Sequence, residues 1–97
     1  LKEIVIRVRA RPEECFFWRT HAGAEIDLFI VRGTQRLAFE IKRTTSPKLT
    51  RSMRSAIDDL YPTHLDVIHA GVDTFPLSDR TRAVAFGRMH EDIGELR

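Results

Sequence analysis

The sequence predicts one α/β domain, residues 1–97, in which helices pack on a mixed β-sheet. The length indicates a single small core, because a chain of this size buries only roughly 60–65% of the surface that its unfolded form exposes. A composition of 42% hydrophobic and 31% charged residues is ordinary for a globular domain, and no apolar run approaches the roughly 18 residues of a membrane span. Short β-prone runs stand before and after one amphipathic helix, and a helix between two parallel strands predicts a crossover within a mixed sheet.

The first half of the chain predicts a helix and then a three-stranded antiparallel meander. Residues 2–10 alternate as a strand would, yet they also fit the last turns of a helix that ends before Arg11-Pro12, and we favour the helix. Two β-prone runs, 15–20 and 25–32, flank a turn and predict a hairpin. A third run at 36–43 follows a glycine-containing turn and completes the meander.

The second half predicts a helix over residues 47–61 and then two short strands. Ser46 suits the helix cap and Pro47 the first helical position, and Tyr61-Pro62 ends the helix. Strands at 65–70 and 81–86 complete the order α-β-β-β-α-β-β, with turns at Gly71 and at 76–79. The apolar stripe that defines the helix consists of Leu49, Met53, Ala56, Ile57 and Leu60.

Charge is distributed unevenly along the chain, although the net charge is only +2. Residues 31–54 hold seven basic side chains against Glu40 alone, a local excess of +6, and residues 55–79 hold five aspartates with no lysine or arginine. A basic block of this size attracts polyanions such as nucleic acid. The alternative is a solvated face that the following acidic stretch balances. The candidate nucleic-acid-binding residues in the block are Arg43, Lys48, Arg51 and Arg54.

Four charged side chains stand within two predicted strands. Strand alternation places Glu25 and Asp27 on the face opposite Ile26, Leu28 and Ile30, and it places Glu40 and Lys42 together on the next strand. If the two polar faces coincide, a divalent cation is the simplest way to neutralise three carboxylates. Carboxylate oxygens with positions left for water suit Mg²⁺ or Mn²⁺, which also meet phosphate oxygens directly. The alternative is a surface ion pair between Glu40 and Lys42, with Glu25 and Asp27 facing solvent on an edge strand.

These residues resemble a known nuclease signature. Gly23-Ala24-Glu25-Ile26-Asp27, followed thirteen residues after Asp27 by Glu40-Ile41-Lys42, resembles the PD-(D/E)XK motif. With Phe17-Trp18-Arg19-Thr20 before it and a Ser-Pro helix start after it, the segment at about 15–61 is similar to the DUF4143 domain, the C-terminal part of many prokaryotic AAA+ family ATPases. The resemblance implies a restriction-endonuclease-like core of order α-β-β-β-α-β, with a mixed sheet flanked by helices.

The resemblance also implies roles for the charged residues. Asp27 and Glu40 would be ligands of Mg²⁺ or Mn²⁺, Lys42 would position the attacking water and stabilise charge on the phosphate, and Glu25 would join the metal site. The expected function is metal-dependent phosphodiester hydrolysis in a domain attached to an N-terminal ATPase domain of the same parent chain. The alternatives are a catalytically degenerate module that binds nucleic acid or protein, and a purely structural oligomerisation domain. No Walker A motif is present.

The remaining chemically notable residues give weaker signals. Cys15, the single cysteine, cannot form an internal disulfide, is expected to be a small buried hydrophobe and favours a cytoplasmic location. Trp18 with Phe16 fits either a core pair or a surface for stacking a base. Because the chain begins at Leu1 without methionine, we expect a fragment of a longer protein. The histidines lack metal-ligand spacing and are expected at the surface or in turns: His21, His64, His69 and His90.

Overall fold

A computed structural model describes all residues, 1–97, as an α/β fold of six strands and three helices. Two short 3₁₀ turns, Pro12–Glu14 and Phe86–Arg88, lie between these elements. The elements are α1 (Lys2–Val8), β1 (Cys15–Arg19), β2 (Glu25–Arg32), β3 (Gln35–Ile41), α2 (Arg51–Leu60), β4 (His64–His69), β5 (Phe75–Pro76), β6 (Thr81–Ala85) and α3 (Met89–Asp92).

The six strands form one mixed sheet in the order β1-β2-β3-β4-β6-β5. β1, β2 and β3 are the predicted antiparallel meander, and β3 pairs with β4 in parallel through the α2 crossover. β4 and β6 are also parallel, whereas the two-residue edge strand β5 runs antiparallel to β6. The predicted mixed sheet and the predicted N-terminal helix are therefore confirmed. None of the helices is long and apolar enough to cross a membrane.

Helices cover both faces of the sheet and divide the core into two clusters. On one face, α1 and α3 pack against apolar residues of β2, β3, β4 and β6, with Ile4, Val8 and Phe39 among the most buried. On the other face, α2 packs through Met53 and Ala56 against the same central strands. Since both faces of β3 and β4 are covered, these two strands are buried along most of their length.

The crossover helix α2 begins later than the sequence predicted. Thr50, not Ser46, is its N-cap, and the Thr50 hydroxyl accepts a hydrogen bond from the backbone N–H of Met53 at 3.2 Å. Residues before it form an irregular connection in which the backbone N–H of Ser46 donates to Thr44 Oγ1 and Pro47 is buried. The helix therefore starts at the cap formed by Thr50 and not at the Ser46-Pro47 start that the sequence predicted. The sequence also gave no indication of β5 or α3.

A β-bulge in β2 is the other departure from the predicted pattern. Phe16 pairs with Phe29 and Trp18 pairs with Ile26, so Phe17 alone faces both Asp27 and the residue after it. The extra residue breaks the alternation of β2 at this point. Consequently Ile26 packs on the α2 face, whereas Leu28 and Ile30 pack on the face of α1 and α3. The prediction that these three side chains share one face is therefore wrong.

Candidate functional site

Asp27 and Glu40 come together where β2 begins and β3 ends. The paired register of the two strands stops at Leu28 and Phe39, one residue short of both acids. Beyond that point a side-chain hydrogen bond replaces the backbone pairing of the two strands. Asp27 Oδ2 accepts this bond from the backbone N–H of Ile41 at 2.8 Å. The bulge therefore directs Asp27 towards the end of β3 instead of leaving it in the regular ladder.

Glu40 is the most perturbed acid of the molecule. Only 5% of its surface is exposed. Burial raises the pKa of Glu40 from its ordinary 4.5 to about 8, and a hydrogen bond with the Asp27 carboxyl and the negative charge of Asp27 add to the rise. The ammonium of Lys42 acts in the opposite direction. At neutral pH Glu40 is therefore mostly protonated.

Lys42 lies directly beyond β3, at the same end of the sheet as the carboxyl pair. Its backbone N–H donates to Ile68 O at 2.9 Å, which ties the residue to β4. Its side chain is exposed and makes no ion pair within 4.0 Å. Since this ammonium lowers the pKa of Glu40, it is close enough to interact with the pair while remaining free to contact a ligand.

Glu25 occupies a different position from Asp27 and Glu40. Its carboxylate lies 3.6 Å from the guanidinium of Arg19, and its backbone N–H donates to Ser52 Oγ at 3.2 Å. Its negative charge contributes to the raised pKa of Glu40, yet no group of three Asp, Glu, His or Cys side chains is arranged to hold one metal ion. The donor set at the end of the sheet is therefore two carboxylates with an ammonium beside them.

The basic side chains of residues 31–54 fall into two groups: some make hydrogen bonds within the fold, and others are exposed and make no ion pair. Arg32 donates two hydrogen bonds to Glu14, and Arg36 donates to Leu60 O at 2.7 Å and lies over the Phe29 ring. Ser52 Oγ accepts from the backbone N–H of Glu25, so the first turn of α2 lies near the start of β2, two residues before Asp27. The four predicted nucleic-acid-binding residues are all exposed and free of ion pairs: Arg43, Lys48, Arg51 and Arg54.

Other residues singled out in the sequence have structural roles. His69 is buried, so its predicted place at the surface or in a turn is wrong; its Nδ1 accepts from Gly71 N–H at 3.0 Å and its Nε2 lies 2.9 Å from Asp73 O. Cys15 is half-buried and its thiol donates to Arg11 O. Trp18 packs on the α2 face.

Sequence reasoning missed the features that shape the site. No sequence signal distinguishes a bulge at Asp27 from a regular strand, because both show the same residue types. The exposure of Phe17, next to the half-buried Trp18, follows from the position of β1 at the sheet edge. The raised pKa of Glu40 depends on its burial in the assembled fold, which strand alternation alone does not establish.

Fold and site together define an α/β domain with a paired carboxyl site at the end of a mixed sheet. The family model named "Domain of unknown function (DUF4143)" matches residues 1–89, and the chain belongs to this family. The uncharacterized protein Mb2031c of Mycobacterium bovis and the uncharacterized protein Rv2008c of Mycobacterium tuberculosis are each 44% identical to it over 73 residues. The match covers 75% of this chain but 17% of each relative. No solved structure matches the chain.

Proposed function

We propose that this domain is a metal-dependent nuclease-like module with a restriction-endonuclease-like core that hydrolyses phosphodiester bonds. The observation that carries the proposal is that Asp27 and the buried Glu40 lie at the same end of neighbouring strands, where Asp27 Oδ2 accepts from the backbone N–H of Ile41, the residue between Glu40 and Lys42. A buried carboxyl group next to a second carboxylate is costly to ionise without a cation. Such a pair is typical of functional sites rather than of structural ion pairs.

The donor set fits Mg²⁺ or Mn²⁺. These hard cations prefer carboxylate oxygens and usually keep several waters, so one or two protein carboxylates are sufficient when substrate phosphates complete the coordination. Asp27 and Glu40 would hold the ion. When bound, the ion would supply a water of lowered pKa and neutralise charge on the phosphate.

The protein side chains have separable tasks in this proposal. The Ile41 N–H fixes the orientation of Asp27, and Glu40 gives up its proton to solvent as the site loads. The free ammonium of Lys42 donates hydrogen bonds to the phosphate oxygens or to the attacking water, and it stabilises the negative charge that develops on the phosphate. Burial of Glu40 lowers the dielectric around its carboxyl group, so the interactions of that group are stronger than they would be in water.

The free basic residues supply the affinity for a polyanion. Exposed lysine and arginine side chains without acidic partners neutralise phosphates and release counterions. Arg51 and Arg54 lie on α2, whose Ser52 contacts the backbone of Glu25 two residues before Asp27, so a bound backbone could cross the helix and reach the site. Phosphate contacts of this kind position the substrate without reading its sequence.

The placement of the domain within a longer protein is also part of the proposal. The matched segment is 17% of each mycobacterial relative, which leaves room in such proteins for an AAA+ type ATPase domain. An ATPase on the same chain would control when the nuclease-like domain meets nucleic acid. A cytoplasmic location would suit both activities.

The second candidate function is a binding module without catalysis. One observation favours it: the Asp27 carboxylate already has a partner without a metal, because its Oδ2 accepts from the backbone N–H of Ile41 at 2.8 Å. In that case the basic residues would dock nucleic acid or an acidic protein partner, and the acids would only stabilise the end of the sheet.

Metal titration calorimetry distinguishes the two candidates. We expect Mg²⁺ or Mn²⁺ to bind at pH 7 with release of close to one proton, because Glu40, whose pKa is about 8, must ionise first. Repeating the titration in buffers of different ionisation enthalpy measures that proton. Asp27→Asn and Glu40→Gln should weaken binding, whereas Glu13→Gln, at an exposed acid without an ion pair, is the matched control. If no divalent ion binds at millimolar concentration, the binding module is the correct function.

A further inference from the structure

β1 is an edge strand of the sheet, with β2 as its only neighbour. The extra residue of the bulge lies on β2, so β1 itself alternates regularly. The backbone N–H of Thr20 donates to Ala24 O at 2.8 Å and so points towards β2, and every second residue before Thr20 points its backbone groups the same way. The backbone hydrogen bonds made outside the helices and strands use none of the groups in between. The residues whose backbone N–H and C=O groups point outward are Cys15, Phe17 and Arg19.

The side chains of this edge strand are aromatic and exposed. Phe16 is 52% exposed and Phe17 is 57% exposed, although aromatic residues on a sheet usually contribute to the core. Natural edge strands are commonly protected from pairing by charged residues, by proline or by a bulge on the edge strand itself. β1 contains no proline, and its one charged residue, Arg19, stands at its end. The outer side of β1 is therefore open to pairing with another strand.

The segment around β1 is complementary to itself in the antiparallel direction. Two acidic residues, Glu13 and Glu14, stand directly before the strand, its centre is aromatic, and Arg19 ends it. In an antiparallel pair of two copies, the acidic start of each segment lies beside the basic end of the other, whereas a parallel pair brings like charges together. Glu13 is exposed and has no ion pair within 4.0 Å in its own chain, so it is free to meet Arg19 of a second copy.

We propose that β1 pairs antiparallel with β1 of a second copy of this chain, so that the two sheets join across a two-fold axis at Phe17. This inference goes beyond the proposed function and does not depend on it, because none of its residues belongs to the carboxyl pair. A register centred on Phe17 engages all three outward residues of both strands, with Cys15 of each copy opposite Arg19 of the other. It also sets Phe16 of each copy opposite Trp18 of the other, at positions where the side chains of paired strands are closest.

Disulfide cross-linking of the full chain tests the pairing and its register. Arg19→Cys places a thiol opposite Cys15 of the second copy, and Cα atoms of such a hydrogen-bonded pair lie about 5.5 Å apart, within the span of a disulfide. Within one chain the two thiols are four residues apart along a strand, roughly 13 Å, which is too far to bridge. Mild oxidation with diamide should therefore give a linked dimer on a non-reducing gel. Peptide mass mapping should show that the link joins position 15 to position 19.

Matched variants separate this pairing from chance collision of two chains. Cys15→Ala combined with Arg19→Cys keeps the new thiol but removes its partner, so no dimer linked through position 19 should form. Phe17→Lys in the Arg19→Cys chain sets two ammonium groups opposite each other at the two-fold axis, and the linked dimer should be lost. Phe86→Lys is the control for the added charge, because Phe86 is 59% exposed but follows β6, and it should leave the linked dimer unchanged.

A charge-reversal pair shows that the loss comes from the axis and not from unfolding. Phe17→Glu in the Arg19→Cys chain should also lose the linked dimer, since two carboxylates then face each other. Mixing the Phe17→Lys and Phe17→Glu forms should restore the dimer, because opposite charges meet at the axis. Both forms should keep the circular dichroism spectrum of the parent protein, since Phe17 is an exposed residue.

The outcomes for this inference and for the proposed function are distinct. A link between positions 15 and 19 that disappears with Phe17→Lys and returns in the charge-reversed mixture supports the pairing, even if no metal binds. The pairing is refuted if Arg19→Cys gives no linked dimer, or if the links join 15 to 15 and 19 to 19, as a parallel pair would. It is also refuted if Phe17→Lys leaves the link intact, even if metal-dependent cleavage is found.

Discussion

At the scale of single residues, the protonated Glu40 is the feature with the clearest consequence for stability. In the folded protein the pKa of Glu40 is about 8, against an ordinary value of 4.5. The folded state therefore holds the proton more tightly than the unfolded state. The stability that this proton contributes is fully present below pH 4.5 and is lost as the pH rises towards 8.

Replacement of Glu40 by glutamine should remove this loss. In the presence of a chelator, Glu40→Gln should be more stable than the parent protein at pH 8 and above. Each pKa unit corresponds to about 1.4 kcal/mol, so the rise of the Glu40 pKa from 4.5 to about 8 sets an upper limit of about 5 kcal/mol on the difference. The two proteins should converge at pH 4, where Glu40 is protonated in both the folded and the unfolded state. Urea unfolding between pH 4 and 9 measures the difference, with Glu13→Gln as the control. Equal stability of parent and variant at high pH would show that Glu40 is not buried against Asp27.

At the scale of secondary-structure elements, the structure and the sequence pattern place the start of α2 at different residues, which mutation can distinguish. The Thr50 hydroxyl caps the Met53 N–H, whereas Ser46 lies outside the helix. Thr50→Ala should therefore lower the free energy of unfolding by about 1 kcal/mol, the usual cost of losing an N-cap. Ser46→Ala is the matched substitution and should cost much less. The reverse order in denaturant unfolding would restore the start predicted from Ser46-Pro47.

The exposed face of α2 should control affinity for nucleic acid. Arg51→Ala and Arg54→Ala should each weaken binding to all sequences about equally and reduce the salt dependence, because phosphate contacts release counterions and carry no base information. Arg80→Ala, at an exposed arginine before β6, is the control. Binding measured against salt concentration gives the slope directly. Salt-insensitive binding, or none at low salt, would favour a protein partner instead.

At the scale of the whole molecule, the sequence predicted most of the sheet because the signals for strands and turns are local patterns that repeat along the chain. Alternating apolar residues and glycine-containing turns predicted the meander, and the periodic stripe of α2 predicted the crossover. The two-residue strand β5 and the four-residue helix α3 were missed because elements of that length show too few periods to detect. The bulge in β2 was missed because it is a property of strand pairing rather than of residue type.

The site was predictable as a set of residue types but not as a geometry. The spacing placed Asp27, Glu40 and Lys42 on two neighbouring strands, and in the structure they lie at one end of the sheet. What spacing did not predict is that Arg32 and Arg36 of the basic block are engaged in structural contacts. It also did not predict that Glu25 lies against Arg19. Those contacts depend on the relative positions of distant segments, which only the assembled fold determines.

Cleavage of a polynucleotide by the full-length protein is the measurement that tests the central claim most directly. With Mg²⁺ or Mn²⁺, the parent protein should cut a labelled substrate, and no cleavage should occur with a chelator. Lys42→Ala should abolish cleavage while calorimetric metal binding is largely kept, and Lys2→Ala, at an exposed lysine of α1, should cut normally. The account is contradicted if neither single-stranded nor duplex substrate is cut with either ion, or if Lys42→Ala cuts as fast as the parent protein.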